Sequence, residues 1–165
     1  PGLKQWNVQL FKNIDKWSYM SKELDYSKVT NLFEVINGKV LTKKGLKISC
    51  CPVDHAGGIA FRLDNLGKSF VYTGDMGYDE NISILGKNAD LVAIECSFPN
   101  KKMLGGKHLE PELIGNLAKI GNFKSIILTH LNPQIKKSEK SIIKKIQNIA
   151  DCKVLFANDF KQISL

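Results

Sequence analysis

The chain has 165 residues, a formal net charge of +8 at pH 7 and a pI near 9.3. That length suits one domain rather than two, and 43% apolar residues is ordinary for a globular core. No apolar run approaches the about 20 residues of a membrane helix. "PGLKQWNVQL" lacks the basic-then-apolar layout of a secretory signal, so a cytoplasmic protein with no membrane partner is expected. The chain begins at Pro1 rather than Met, as a processed chain or a fragment would.

In chain order, residues 1–35 read as irregular to helical, with Trp6, Leu10, Phe11 and Ile14 at helical spacing. Asn37-Gly38 is a tight-turn pair. Three β-rich runs follow, "LKISCCPV", "GIAFRL" and "SFVYTG". Asp64, Asn65 and Gly67 form the hairpin turn between the last two. "LVAIEC" and "SIILTH" read as buried strands and "KVLFA" as a further strand, with "FKQISL" a candidate for the last. Between them lie two helices. "EPELIGNLAKI" tolerates Pro111 in its first turn and sets Leu113, Leu117 and Ile120 on one face. "SEKSIIKKIQNIA" has Ser138 as N-cap and turns Ile142, Ile143, Ile146 and Ile149 to the core. Antiparallel strands followed by strand–helix alternation give a mixed α/β fold, with both helices on one face of the sheet. No repeat, low-complexity tract or linker marks a second domain.

The basic charge suits a polyanion such as RNA. Much of the lysine lies in "KKSEKSIIKK", however, and reads more economically as a solvated helix face. Cys50, Cys51, Cys96 and Cys152 contain no C-x-x-C pair, and their apolar contexts read as reduced, buried thiols. Cys50 and Cys51 would point to opposite faces of one strand.

Ionisable side chains collect at strand ends, where α/β proteins assemble sites. His55 follows "SCCPVD", Asp75 sits in "TGDMG" after a strand, and His130 ends "SIILTH". His108 lies in the loop "LGGKHLEP" just ahead of a helix. Imidazole nitrogen and carboxylate oxygen both bind zinc, so His55, Asp75 and His130 make a candidate metal set. They lie 20 and 55 residues apart along the chain and must converge for that reading to hold.

Taken together, "VDHAGGIAFRL", "YTGDMG", "ADLVAIECSFP", "GGKHLEP" and "IILTHLNP" resemble, in this order, the carboxyl-terminal half of a metallo-β-lactamase-fold hydrolase. The resemblance is to the branch holding ribonuclease Z and class II cyclic-nucleotide phosphodiesterases, and it covers roughly residues 48–165. It implies the C-terminal part of an αββα sandwich, so that residues 1–165 form a single partial domain lacking the N-terminal half. It further implies two divalent metal ions, zinc first, with manganese or iron as alternatives. His55 matches a ligand of one ion, Asp75 a bridge between both, and His130 a ligand of the second. His108 matches the residue that protonates the leaving group. Glu95 matches an acid that orients a ligand histidine. Gly57 and Gly58 would let the backbone pass close to the site.

The departures are equally specific. The family signature H-x-H-x-D-H is absent, and with three histidines in all it cannot be hidden. Met76 replaces the usual Thr after the bridging Asp. The hairpin before Asp75 is short, and Asn132-Pro133 stands where ribonuclease Z carries an arginine-tyrosine pair.

The reading is therefore a metal-dependent hydrolase of a phosphodiester, either nucleic acid or cyclic nucleotide. Its active assembly needs the missing half or a second copy of the chain. Hydrolysis of a lactone, thioester or β-lactam on the same scaffold is one alternative. A truncated, non-catalytic binding module is the other.

Overall fold

The computed structural model describes residues 41–55, 58–99 and 108–165. The helical reading of residues 1–35, the Asn37-Gly38 turn and Gly57 lie outside them. The described residues all fall within one compact unit.

A single sheet runs in the order β1 to β7. Strands β1 (Leu41–Lys43), β2 (Leu46–Pro52), β3 (Ile59–Asn65) and β4 (Lys68–Tyr72) pair antiparallel with their neighbours. From β4 onward the pairing is parallel, through β5 (Leu91–Glu95), β6 (Ser125–Thr129) and β7 (Lys153–Phe156). The β3–β4 hairpin closes on Leu66-Gly67, both at positive φ of +49° and +74°. This is the two-residue turn whose twist matches its flanking strands. Asp64 and Asn65 therefore belong to β3, one step earlier than the turn read from sequence. Lys44-Gly45 closes β1 on β2 in the same manner, with φ of +50° and +81°.

Each parallel step is bridged by helix. Helix α1 (Asn81–Leu85) joins β4 to β5 and α2 (Pro111–Gly121) joins β5 to β6. Helices α3 (Pro133–Lys136) and α4 (Glu139–Gln147) join β6 to β7. Right-handed crossovers that all step the same way across a sheet must lie on one face of it. One apolar cluster accordingly unites Ile114, Leu117, Ile142 and Ile146 with Val71, Val92, Ile94, Ile126, Leu128 and Val154. By strand alternation the opposite face carries Ile48, Cys50, Phe61, Leu63, Phe70, Leu91, Ala93, Ile127 and Leu155.

Pro111 is at the start of α2 as read, but the buried stripe differs from the one expected. Ile114, Gly115, Leu117, Ala118 and Gly121 face inward, whereas Ile120 is 55% exposed. The stripe follows Ile114 because the helix must bring Gly115 against α4. A Cβ on Gly115 would sit 3.0 Å from the Ile149 Cβ. Ser138 is the N-cap of α4 through its carbonyl, which accepts the Ile142 N–H at 3.0 Å; its hydroxyl makes no capping bond. Lys137, Lys140 and Lys144 are exposed, as a solvated face requires. "FKQISL" forms no strand: residues 160–165 are irregular and mostly exposed. All four cysteines are buried and none forms a disulfide, with Cys50 and Cys51 adjacent in β2.

Candidate functional site

Strands β2, β4, β5 and β6 all run in the same direction, so their carboxyl ends meet at one end of the sheet. Those four ends carry the candidate residues. His55 lies just beyond β2, Asp75 just beyond β4, Glu95 closes β5, and His130 directly follows β6. His108 enters from the loop ahead of α2.

The His55 loop is tightly wound. The His55 N–H donates to the Val53 carbonyl at 2.7 Å and the Gly58 N–H to the His55 carbonyl at 2.9 Å. A Cβ on Gly58 would lie 2.7 Å from Val53 Cγ2 and 3.3 Å from the His55 Cβ, so the close backbone pass requires glycine. The Gly77 N–H then donates to the Asp54 carbonyl at 2.8 Å, which ties this loop to the turn carrying Asp75. In that turn Gly74 adopts φ +65°. Met76 sinks its side chain into the core, fully buried. What the turn needs at position 76 is the backbone N–H and an apolar side chain, and methionine supplies both.

Glu95 is fully buried and accepts three hydrogen bonds. The Met76 N–H reaches Oε1 at 2.8 Å, the Ser97 hydroxyl reaches Oε2 at 2.7 Å, and His108 Nδ1 lies 2.8 Å from Oε1. A buried carboxylate is tolerable when donors surround it in this way. Because the Met76 N–H and Ser97 hydroxyl both donate, the carboxylate acts as acceptor and Nδ1 of His108 carries its proton toward Glu95. The histidine that Glu95 orients is thus His108, the expected proton donor. This differs from the ligand histidine that the resemblance implies for Glu95. Glu95 and His108 meet although 13 residues separate them along the chain.

His130 adopts φ +51°, left-handed backbone that a non-glycine residue seldom takes. Such strain, of about 1–3 kcal/mol, marks positions held for a purpose. Its ring is exposed, and Nε2 stands 3.6 Å from Asp75 Oδ2. The His130 ring stacks on His108 at 5.7 Å between centroids, and the tilted His55 ring lies 6.1 Å from that of His108. All five sequence-predicted residues therefore gather at one place, with His108 at the centre.

The fit to a metal can be tested on this geometry. A separation of 3.6 Å is too long for a hydrogen bond. It matches two ligands of one tetrahedral ion, which at zinc bond lengths stand roughly 3.4 Å apart. Asp75 and His130 fit one ion. Among the described residues, however, no three His, Cys, Asp or Glu side chains converge on one ion. Cys96 is no substitute: it turns into the core, and its thiol is pushed up to about 12, by burial first and then by the Glu95 and Glu112 charges. The chain thus offers a partial ligand set.

Beside the rings lies a cavity of about 340 Å³ lined by Ser97, Phe98, His108, His130, Leu131 and Asn132. Ser97 and Phe98 were not singled out as site residues from sequence. The signal for them was the string "ECSFP" at a strand end.

Comparison with known proteins agrees with this architecture. No protein-family model matches the chain. A ribonuclease Z of Prochlorococcus marinus (strain MIT 9515) is 33% identical over 97 residues, which is 57% of this chain and 30% of that protein. The solved metallo-β-lactamase fold protein YhfI from Bacillus subtilis superposes with a TM-score of 0.66 at 21% identity, covering 84% of this chain and 60% of that one. The chain has the metallo-β-lactamase fold and is related to ribonuclease Z and YhfI. Zinc-bound PqqB from Methylobacterium extorquens shares the fold, with a TM-score of 0.60 at 16% identity, over 79% of this chain and 51% of that one. The ribonuclease Z-related chain spans about a third of the length of the ribonuclease Z it matches. Its mixed sheet with helices on one face is part of the αββα sandwich. No helix among the described residues is long and apolar enough to cross a membrane.

Proposed function

We propose that this chain carries the carboxyl-terminal part of the active site of a metal-dependent phosphodiester hydrolase. One observation carries the reading: a carboxylate-anchored histidine, His108 on Glu95, stands beside an open histidine–carboxylate pair, His130 and Asp75. The first arrangement suits handing over a proton, the second holding a cation. Asp75 and His130 would hold one ion, zinc first, with manganese or iron as alternatives. His55 is the donor left for a second ion, with Asp75 shared. A divalent ion so held supplies Lewis acidity and lowers the pKa of water.

The chain's own residues do the rest. Glu95 fixes the His108 ring with Nδ1–H inward, which leaves Nε2 to carry a proton to the departing oxygen. General acid catalysis of this kind contributes about 10²–10⁴-fold. The substrate this reading takes is an anionic phosphodiester, RNA or a cyclic nucleotide, as the resemblance implies. Remaining donors must come from outside this chain, from a polypeptide carrying H-x-H-x-D-H.

The test is His108→Ala in the chain reconstituted with such a polypeptide. Phosphodiester turnover should fall about 10²–10⁴-fold, while hydrolysis of a thioester or lactone changes little. Unchanged phosphodiester turnover would remove the proton-donor role and favour the carbonyl reading.

A further inference from the structure

We propose that the cavity beside His108 receives a flat ring carried by the leaving alcohol, and that Phe98 selects it. The word "leaving" rests on the phosphodiester reading above; the ring site itself rests on the cavity. His108 commits Nδ1 to the buried Glu95, so the other ring nitrogen serves whatever lies outside. A group that takes a proton there must have its remainder alongside the ring, and the space alongside is this cavity. At about 340 Å³ it is at the lower end of small-ligand sites.

The lining states the chemistry. Its ionisable side chains are His108 and His130, its apolar ones Phe98 and Leu131, and Ser97 and Asn132 complete it. Among the described residues no Lys or Arg lines it. The Ser97 hydroxyl is committed to Glu95, and Phe98 offers the flat apolar surface. The Phe98 ring meets His108 at 66° with centroids 6.0 Å apart. The two rings form a corner, so a flat group can lie on Phe98 while the atom it departs from touches His108. A nucleobase attached to a ribose meets that description, and so does a simple aryl alcohol.

The experiment follows the ring protons of His108 and His130 by nuclear magnetic resonance in the full chain. Adenosine, benzyl alcohol, ribose and inorganic phosphate are titrated separately. Adenosine and benzyl alcohol should move both rings' signals, and ribose should not. Phe98→Ala should weaken adenosine binding about tenfold, the scale of one base–aromatic stack. Phe98→Trp keeps a flat face and should retain binding, which separates lost stacking from lost folding. Histidine signals indifferent to adenosine, or a Phe98→Ala chain binding it as tightly as the parent, would overturn the proposal. Metal-dependent phosphodiester turnover, measured separately, distinguishes the two readings. Turnover without ring binding removes this proposal alone, and ring binding without turnover in the reconstituted protein removes the functional reading alone.

Discussion

Glu95 holds both halves of the candidate site in place. Its carboxylate fixes the turn after Asp75 through the Met76 N–H and fixes His108 through Nδ1. Glu95→Ala would leave a buried N–H and a hydroxyl without their acceptor, so it should cost on the order of 2–4 kcal/mol in a urea melt. Glu95→Gln keeps the volume, and its effect should appear in kcat rather than KM of the reconstituted enzyme. A Glu95→Gln protein with unaltered kcat would show that His108 needs no orienting carboxylate. A second carboxylate, at the far end of β5, tests an electrostatic point. Asp90 is lowered to about 2, first by the Lys124 hydrogen bond and then by the Ser69 N–H and hydroxyl. A depressed carboxylate contributes stability above its unfolded pKa, near 3.9. That contribution is lost as pH falls through the folded value. Denaturant midpoints should therefore drop between about pH 4 and pH 2, and Asp90→Asn should flatten that part of the profile. An identical pH profile in the variant would show that Asp90 does not contribute. At this scale the sequence was legible wherever a polar residue interrupts an apolar strand end, as at His55, Asp75 and His130. It could not show that Glu95 meets His108, because the two are 13 residues apart and no periodicity links them.

Elements were legible where periodicity was long. Strand β5 and helices α2 and α4 fall where their apolar patterns place them. The turn of α1 and the single turn of α3 are too short for a 3.6-residue period to declare itself. The misplacement of Ile120 has a packing cause: the inward stripe is set by small residues that admit neighbours, which hydrophobicity alone does not rank. Phe123 shows the same logic. Its ring, 2% exposed, is clasped between Gly86 and Gly121. A Cβ on Gly121 would fall within 2.8 Å of Phe123 Cδ1 and 2.9 Å of Cζ. Gly121→Ala should therefore destabilise by about 1–3 kcal/mol through overpacking, despite alanine's better helix propensity. A variant as stable as the parent would mean that the Phe123 ring shifts freely.

Among the described residues, one sheet carries helices on one face, with its candidate chemistry gathered at one end. The other face carries Ile48, Phe61, Leu63, Phe70, Ile127 and Leu155, partly buried rather than sealed, and Tyr72 at 49% exposure. A contiguous apolar face of this kind drives association. The chain on its own should therefore self-associate or bind the polypeptide that completes its site, as light scattering would show. The strand-then-helix order made the fold class legible, and five short strings made the family resemblance legible. Three histidines made the shortage of ligands legible too, because zinc needs about four donors and Asp75 and His130 supply two. The most direct test of the account is hydrolysis of bis(p-nitrophenyl) phosphate with zinc or manganese. It should be run with the chain alone and with a polypeptide carrying H-x-H-x-D-H. The chain alone should show little or no turnover, and the added polypeptide should restore activity that a chelator abolishes. Strong, chelator-sensitive turnover by a monomer of this chain alone would contradict the partial-site account and require a different ligand set.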